Sequence, residues 1–469
     1  MLLDKGVRMV AAHSCVLSPH LKADLTAAAA SDGPSKYSRL FPDLPRLDAD
    51  EATLLGLGRS GSALDDALTP DEEGRATDDA TTPAAWPFFG QFIAHDITAD
   101  RSLLAHHARL GELRNFRRPA LDLECVYGLG PGGTPYLFDV YDPDMFLLGT
   151  NDAGLPNDIP RNLQGVGLVG DKRNDSQMII SQLHLLFLKF HNAAVADVRA
   201  RGVDDGAVFA EAQRLARWHH QWLTVHEYLP LCVGDDTVRD ILDNGRRHFM
   251  NRPGDAPTIP VEFADAAFRF GHSQIRARYR LNDGATDTIF PGCIGGCPVP
   301  QVRAIDWRWF FAADDAHPPQ PAKKIDTKVV HPLVDLPEAI TGHVDVPEHA
   351  SLAVRDLQRS HALDLPSGEE IARAMGETPL TPEQVGLASG GWAGETPLWY
   401  YVLKEAEVLE GGERLGPVGG RIVAEVLIGL IAADPTSYLG CAPDWTPVFP
   451  AAQPDTFTMR DLLRFAGAV

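Results

Sequence analysis

Residues 173–202, RNDSQMIISQLHLLFLKFHNAAVADVRARG, limit the fold more than any other stretch of this chain. Apolar residues run nearly all round the helix that this spacing predicts, so it belongs inside a body and not on a surface. Asn174, Asp175 or Ser176 can cap its start, and Gly202 ends it. A buried helix of this length needs helical neighbours, and the sequence offers them. A second helix is expected over 205–228, stopped by Leu229-Pro230. Further helical pieces are expected at 263–281, 350–363, 367–376, 396–411 and 419–434. Strand signals are sparse. Residues 99–172 and 283–345 are rich in Gly, Pro, Asp and Asn, which reads as loops and short strands. The expected architecture is mostly α: one large helical domain, residues 81–469, with long loops and few short strands. Residues 1–80 are expected to form an N-terminal arm packed on that body.

The charge balance narrows the class of partner. With 42 Lys+Arg against 64 Asp+Glu, the formal net charge is -22. That argues against binding nucleic acid or an anionic membrane through bulk electrostatics. No run of about eighteen apolar residues suggests a membrane span. The start of the chain lacks a sustained apolar run with a basic flank and cleavage site, so a cytoplasmic location is the expectation. Cys293 and Cys297 share a Gly-rich loop, but no second pair at ligand spacing accompanies them, so reduced thiols are favoured over a zinc site.

The chemistry begins at WPFFGQFIAHDIT, residues 86–98. Phe88, Phe89, Phe92 and Ile93 mark one helical face, and on that pattern sit Gln91, His95 and Asp96. Burying ionisable residues in so apolar a helix costs free energy without partners. Either His95 is a core histidine bonded to a neighbour, or it is aimed at a cofactor. His184 and His191, two turns apart on the long helix, read as core histidines. Arg173 sits at a helix start, where a cation opposes the helix dipole. His272 follows Gly271 in an apolar segment, and Asp356 and Arg359 form a further charged pair.

Taken together these stretches resemble the animal-type haem peroxidases of the peroxidase–cyclooxygenase superfamily, in a bacterial-like peroxidase branch. GQFIAHDIT resembles the family's distal-histidine helix, and GDKRNDSQMIISQLHLLFLKFHN its catalytic-arginine helix. HQWLTVHEYLPLCVG matches the next family helix. FRFGHSQI resembles the proximal-histidine segment, and RDLQRS the segment that supports it. The resemblance implies haem with His272 as axial ligand. It implies His95 as the base that takes a proton from hydrogen peroxide and returns it to the leaving oxygen. Arg173 would stabilise charge on that oxygen, and Gln91 would help hold water or an anion. Arg359 would bind a haem propionate, with Arg269 a second candidate. An oxoferryl intermediate would then oxidise a small aromatic, phenolic or halide donor.

Departures from the family pattern refine these expectations. Mammalian members esterify haem through an aspartate and a glutamate, at positions held here by Ala94 and Ser176. The sulfonium-forming methionine of one member falls at Gln177. Non-covalent haem b is therefore expected. The proximal support, usually asparagine, is Asp356. A carboxylate there would increase the imidazolate character of His272 and lower the iron potential, unless it serves only as an ion-pair partner for arginine. The family's calcium site would draw on Asp96, Asp122 and Glu124. Arg118 stands where a threonine donor belongs, and either weakens calcium binding or replaces the ion by pairing with Asp96. Dioxygenases of the superfamily place a radical-forming tyrosine three residues before the proximal histidine. Here that residue is Arg269, which favours peroxidase over fatty-acid dioxygenase. A tailoring oxidase, or a haem-binding protein without turnover, are the other readings that the chain allows.

Overall fold

A computed structural model describes residues 36–66, 79–99, 113–252, 255–387, 392 and 394–469. Its main helices in chain order are α1 (Glu51–Gly58), α2 (Trp86–Ile97), α3 (Met178–Ala200), α4 (Val208–Leu223), α5 (Leu352–Ala362), α6 (Leu398–Glu410) and α7 (Pro417–Ala433). The fold is mainly helical. Among the described residues only three short two-stranded pairings accompany the helices.

The long helix is central, as its composition requires. Ile179, Ile180, Leu183 and Phe190 of α3 are fully buried, and α3 packs along α4 and against α2. Its start differs from the expectation. Lys172–Asp175 form a 3-10 turn, Gln177 is extended, and the α-helix begins at Met178 with Gln177 as its cap. The cause lies in the loop carrying Cys293 and Cys297. Gln177 pairs with Ile294 in an isolated β-bridge. The Met178 amide donates to Cys293 O at 2.8 Å, and the Gly295 amide to Ser176 O at 3.0 Å. A Cβ at Gly295 would lie 2.2 Å from Asp175 O, so only glycine lets the loop close on this segment. Long-range backbone pairing thus overrides the local helix signal. Cys125, Cys232, Cys293, Cys297 and Cys441 are free thiols.

After Leu223 the second helix passes into a π-helical turn, Thr224–Tyr228. That turn brings Tyr228 against α2 at Gly90, where a Cβ would meet the Tyr228 hydroxyl at 2.3 Å. The helix expected over 263–281 is corrected. Ala267–His272 form a 3-10 turn, and Arg278–Asn282 form a strand antiparallel to Ala285–Thr288. In that strand Tyr279 and Leu281 are buried while Arg278 and Arg280 are exposed, a period of two.

Of the expected N-terminal arm, residues 1–35 and 67–78 lie outside the described residues. The described part is tied to the helical body. Tyr37 and Ser38 pair in parallel with Ile259 and Pro260. Helix α1 packs on α5, and Ser351 Oγ donates to Gly58 O at 2.6 Å. No described helix is long and apolar enough to cross a membrane.

Candidate active site

Helix α2 buries its aromatic face and turns a different face outward. Gln91, Ala94 and His95 stand at i, i+3 and i+4, so they share one side. Gln91 is exposed, Ala94 is half-buried and His95 is buried. The His95 ring is held by Asn174, with Nδ1 2.8 Å from Asn174 Oδ1. Asn174 Nδ2 in turn lies 3.0 Å from Nδ1 of His184, a core histidine on α3. Burial holds the His184 pKa down at about 3, so this ring is neutral.

Arg173 is brought to the same place by the 3-10 turn before α3. Its Nη2 donates to His95 O at 2.8 Å and to Thr98 O at 2.5 Å. Asp171 anchors it from the other side, accepting from the Arg173 amide at 2.9 Å and from Nε at 3.0 Å. Asp171 also pairs with Arg117 at 2.8 Å. Burial opposes ionisation of Asp171, but Arg173 and Arg117 outweigh it and hold the carboxyl well below its ordinary range. The guanidinium of Arg173 is thus fixed against the C-terminal end of α2.

The second imidazole sits on the 3-10 turn Ala267–His272, which packs against α2 and α6. A Cβ on Gly271 would find Pro87 of α2 as its nearest neighbour, at 4.0 Å. His272 Nδ1 donates to Asp356 Oδ2 at 2.6 Å. Its Nε2 makes no hydrogen bond to a described residue, and the side chain is 32% exposed. Helix α5 delivers Asp356, Arg359 and Ser360 from one face, and Ser360 Oγ ties that face to Asp265 O at 3.1 Å. Asp356 is fully buried. Burial pushes its pKa up, but His272 and Arg269 outweigh that and leave it below the ordinary value.

Asp356 touches both partners that the sequence offered it. One oxygen accepts from His272 and the other from Arg269 Nη1 at 2.9 Å. Arg269 Nη2 also pairs with Asp265 at 2.9 Å, and Arg359 Nε lies 3.3 Å from the same Asp265 oxygen. The two arginines expected near the propionates are therefore balanced by Asp265 and Asp356.

The donor chemistry of His272 fits an axial haem ligand: one nitrogen is oriented by a carboxylate, and the other keeps its lone pair for a metal. The calcium donors do not fit their ion. Asp96 is buried and accepts from the Leu123 amide at 2.8 Å and the Cys125 amide at 3.0 Å. Burial and the nearby Asp122 push its pKa up. Asp122 pairs with Arg118 at 3.5 Å, and Glu124 with Arg117 at 2.9 Å. Arg118 turns to Asp122 and Asp434. No three His, Cys, Asp or Glu among the described residues are grouped to hold a metal ion.

The structure thus joins His95 with Arg173, and His272 with Asp356, Arg269 and Arg359. Sequence reasoning missed Asp171, Asn174 and Asp265. Asp171 stands two residues before Arg173, the spacing of a side chain that caps its own turn. Asn174 was seen only as a helix cap, and its contact with a histidine 79 positions away leaves no local mark.

The helical body thus orients one imidazole by a carboxylate and another by an amide. Residues 137–309 match the family model described as animal haem peroxidase, a span that includes Arg173 and His272. Human thyroid peroxidase is 30% identical over 122 residues, which is 25% of this chain and 12% of that protein. Drosophila melanogaster peroxidasin is 26% identical over 174 residues, 36% of this chain and 10% of that protein. The chain thus spans a small part of the curated relatives it matches. Among solved structures, peroxidase A from Dictyostelium discoideum superposes with a TM-score of 0.56 at 16% identity, covering 94% of this chain and 87% of that one. A fatty acid alpha-dioxygenase from Oryza sativa also gives 0.56, at 15% identity, covering 77% and 70%. These likenesses support the fold alone. The family model and the curated relatives thus make residues 137–309 similar to the animal haem peroxidases.

Proposed function

We propose that the chain is a haem-dependent peroxidase that reduces hydrogen peroxide and oxidises a small donor, phenolic or otherwise aromatic, with halides as the alternative donor class. The observation that carries the reading is the 2.6 Å contact of His272 Nδ1 with buried Asp356. It commits one nitrogen to the protein and directs the other as a ligand. When bound, the haem supplies the iron at which the peroxide bond is cleaved. The remaining work falls to the chain's own groups. His95 takes the peroxide proton and returns it to the departing oxygen. Arg173, fixed by Asp171, offers a cation whose position costs no reorganisation during reaction. Gln91 shares the outward face of α2 with His95 and helps hold water there.

Asp356 draws on the Nδ1 proton of His272 and makes the ligand more electron-donating. Arg269 and Arg359 lie on the same side and are assigned to the haem propionates. Haem b is held without covalent links, because Ala94 and Ser176 offer no carboxylate for an ester. We assign no calcium ion to Asp96, Asp122 and Glu124. Arg269 speaks against the fatty-acid dioxygenase reading, since a guanidinium cannot serve as a tyrosyl-type radical.

The test is to reconstitute the chain with haem b and follow donor oxidation with and without peroxide. Peroxide-dependent turnover of phenols, cut by about 10²-fold or more in His95→Ala, is the expected result. Oxygen uptake with a fatty acid and no peroxide would contradict it.

A further inference from the structure

We propose that Asn174 is a positioning residue that locks His95 in the tautomer protonated at Nδ1, using the buried ring of His184 to orient its own amide. The inference rests on the reading of His95 as a proton carrier.

A neutral imidazole carries its proton on one nitrogen only, and the hydrogen bond at the other nitrogen decides which. His95 Nδ1 lies 2.8 Å from Asn174 Oδ1, and Asn174 Nδ2 lies 3.0 Å from His184 Nδ1. Turning the amide over would reverse both assignments, so the orientation needs a reference that cannot switch. Cys125 O provides it. A backbone carbonyl only accepts, and it faces Asn174 Nδ2 at 3.5 Å. The nitrogen end of the amide therefore points to Cys125 and His184, and the oxygen end to His95. Asn174 Oδ1 then requires a proton on His95 Nδ1, and the lone pair of the ring resides on Nε2.

His184 suits this role because it is fully buried and kept neutral by desolvation. It presents an acceptor nitrogen to Asn174 without bringing a competing charge. Asn174 is itself fully buried, so water does not offer it alternative partners. The arrangement keeps a proton acceptor on Nε2, as a base that receives a proton from peroxide requires. The turn Lys172–Asp175 places Arg173 and Asn174 on α2 from consecutive positions.

The readout is the protonation pattern of the His95 ring by 15N NMR of the haem-reconstituted full chain in its diamagnetic ferrous–carbon monoxide form. His95 is assigned by the signal lost in His95→Gln. The wild type is expected to show a proton on Nδ1. Asn174→Asp keeps an acceptor and should preserve that tautomer. Asn174→Leu should shift the ring toward protonation at Nε2 and slow the reaction with peroxide by about 10²-fold. A wild-type ring protonated at Nε2 overturns the proposal without any variant. So does an Asn174→Leu ring that stays wholly protonated at Nδ1. If the tautomer responds as expected but no form reacts with peroxide, the lock stands and the peroxidase reading fails.

Discussion

Replacing Asp171 by asparagine tests whether Arg173 is held by a carboxylate or merely lies beside one. The Asp171 side chain receives Arg173 N at 2.9 Å and Nε at 3.0 Å on Oδ1. On Oδ2 it receives Arg173 Nη2 at 2.9 Å, with Arg117 Nε at 2.9 Å and Nη2 at 2.8 Å. An amide of the same shape must turn its NH2 toward at least two of these donors, whichever way it faces. It also removes the negative charge that Asp171 sets directly against Arg173. The arginine side chains are 12% and 14% exposed, so solvent screens them little. Breaking a buried pair from one side costs about 3–5 kcal/mol, and this change breaks two pairs that share a carboxylate. The expected loss of unfolding free energy in chemical denaturation is therefore in that range. A parallel fall in the rate of reaction with peroxide is expected as Arg173 loses its anchor. A loss below about 1 kcal/mol, the value of a solvated pair, would refute the reasoning.

Three further outcomes follow from other parts of the structure. Burial lowers the pKa of His184, His219 and His220 to about 3, and of His191 and His226 to about 4. These rings take up protons on unfolding, so their contribution is present above pH ~6.5 and is lost as pH falls toward 4. Each can remove up to about 1.4 kcal/mol per pH unit. Denaturation curves between pH 7 and pH 4 should show a steep loss of stability, and a flat profile would contradict the neutral burial of these groups. Dialysis against EDTA should leave the thermal midpoint unmoved, because arginine and amide partners occupy the Asp96 loop. A drop that calcium restores would show that an ion belongs there. Asp356→Asn should raise the reduction potential of the bound haem in a redox titration, and an unchanged potential would leave Asp356 as an ion-pair partner alone.

The sequence was most legible where one periodicity served one purpose. The aromatic stripe of α2 marked a helix carrying Gln91 and His95, and the structure forms that helix. The all-round apolar character of α3 marked it as central. Legibility failed where distant backbone made the decision. Nothing near Gln177 tells that Ile294 will pair with it and delay the helix. The apolar residues between Phe263 and Phe270 suit a buried helix and a buried turn equally well. The alternation of Arg278, Tyr279, Arg280 and Leu281 did carry the strand signal, but its four residues were absorbed into the preceding pattern. At the site, residue types pointed to His95, Arg173 and His272, whereas their orientation came from Asn174, Asp171 and Asp356. Asp171 lies two residues from Arg173, but the contacts of Asn174 with His95 and of Asp356 with His272 join segments far apart in the chain, and pairings of that kind have no spacing to read. The Arg118 substitution signalled a disturbed cation site, yet which acid it would meet depended on a loop closing over Asp96.

The central claim is that His272, oriented by Asp356, is the ligand through which this chain holds haem. Titrating the protein with haem b and recording its optical and electron paramagnetic resonance spectra tests this directly, with His272→Ala compared against His95→Ala. The account predicts stoichiometric binding with the spectrum of a histidine-ligated ferric haem in the wild type and in His95→Ala, and loss of that signature in His272→Ala. A wild-type spectrum reproduced unchanged by His272→Ala would contradict it.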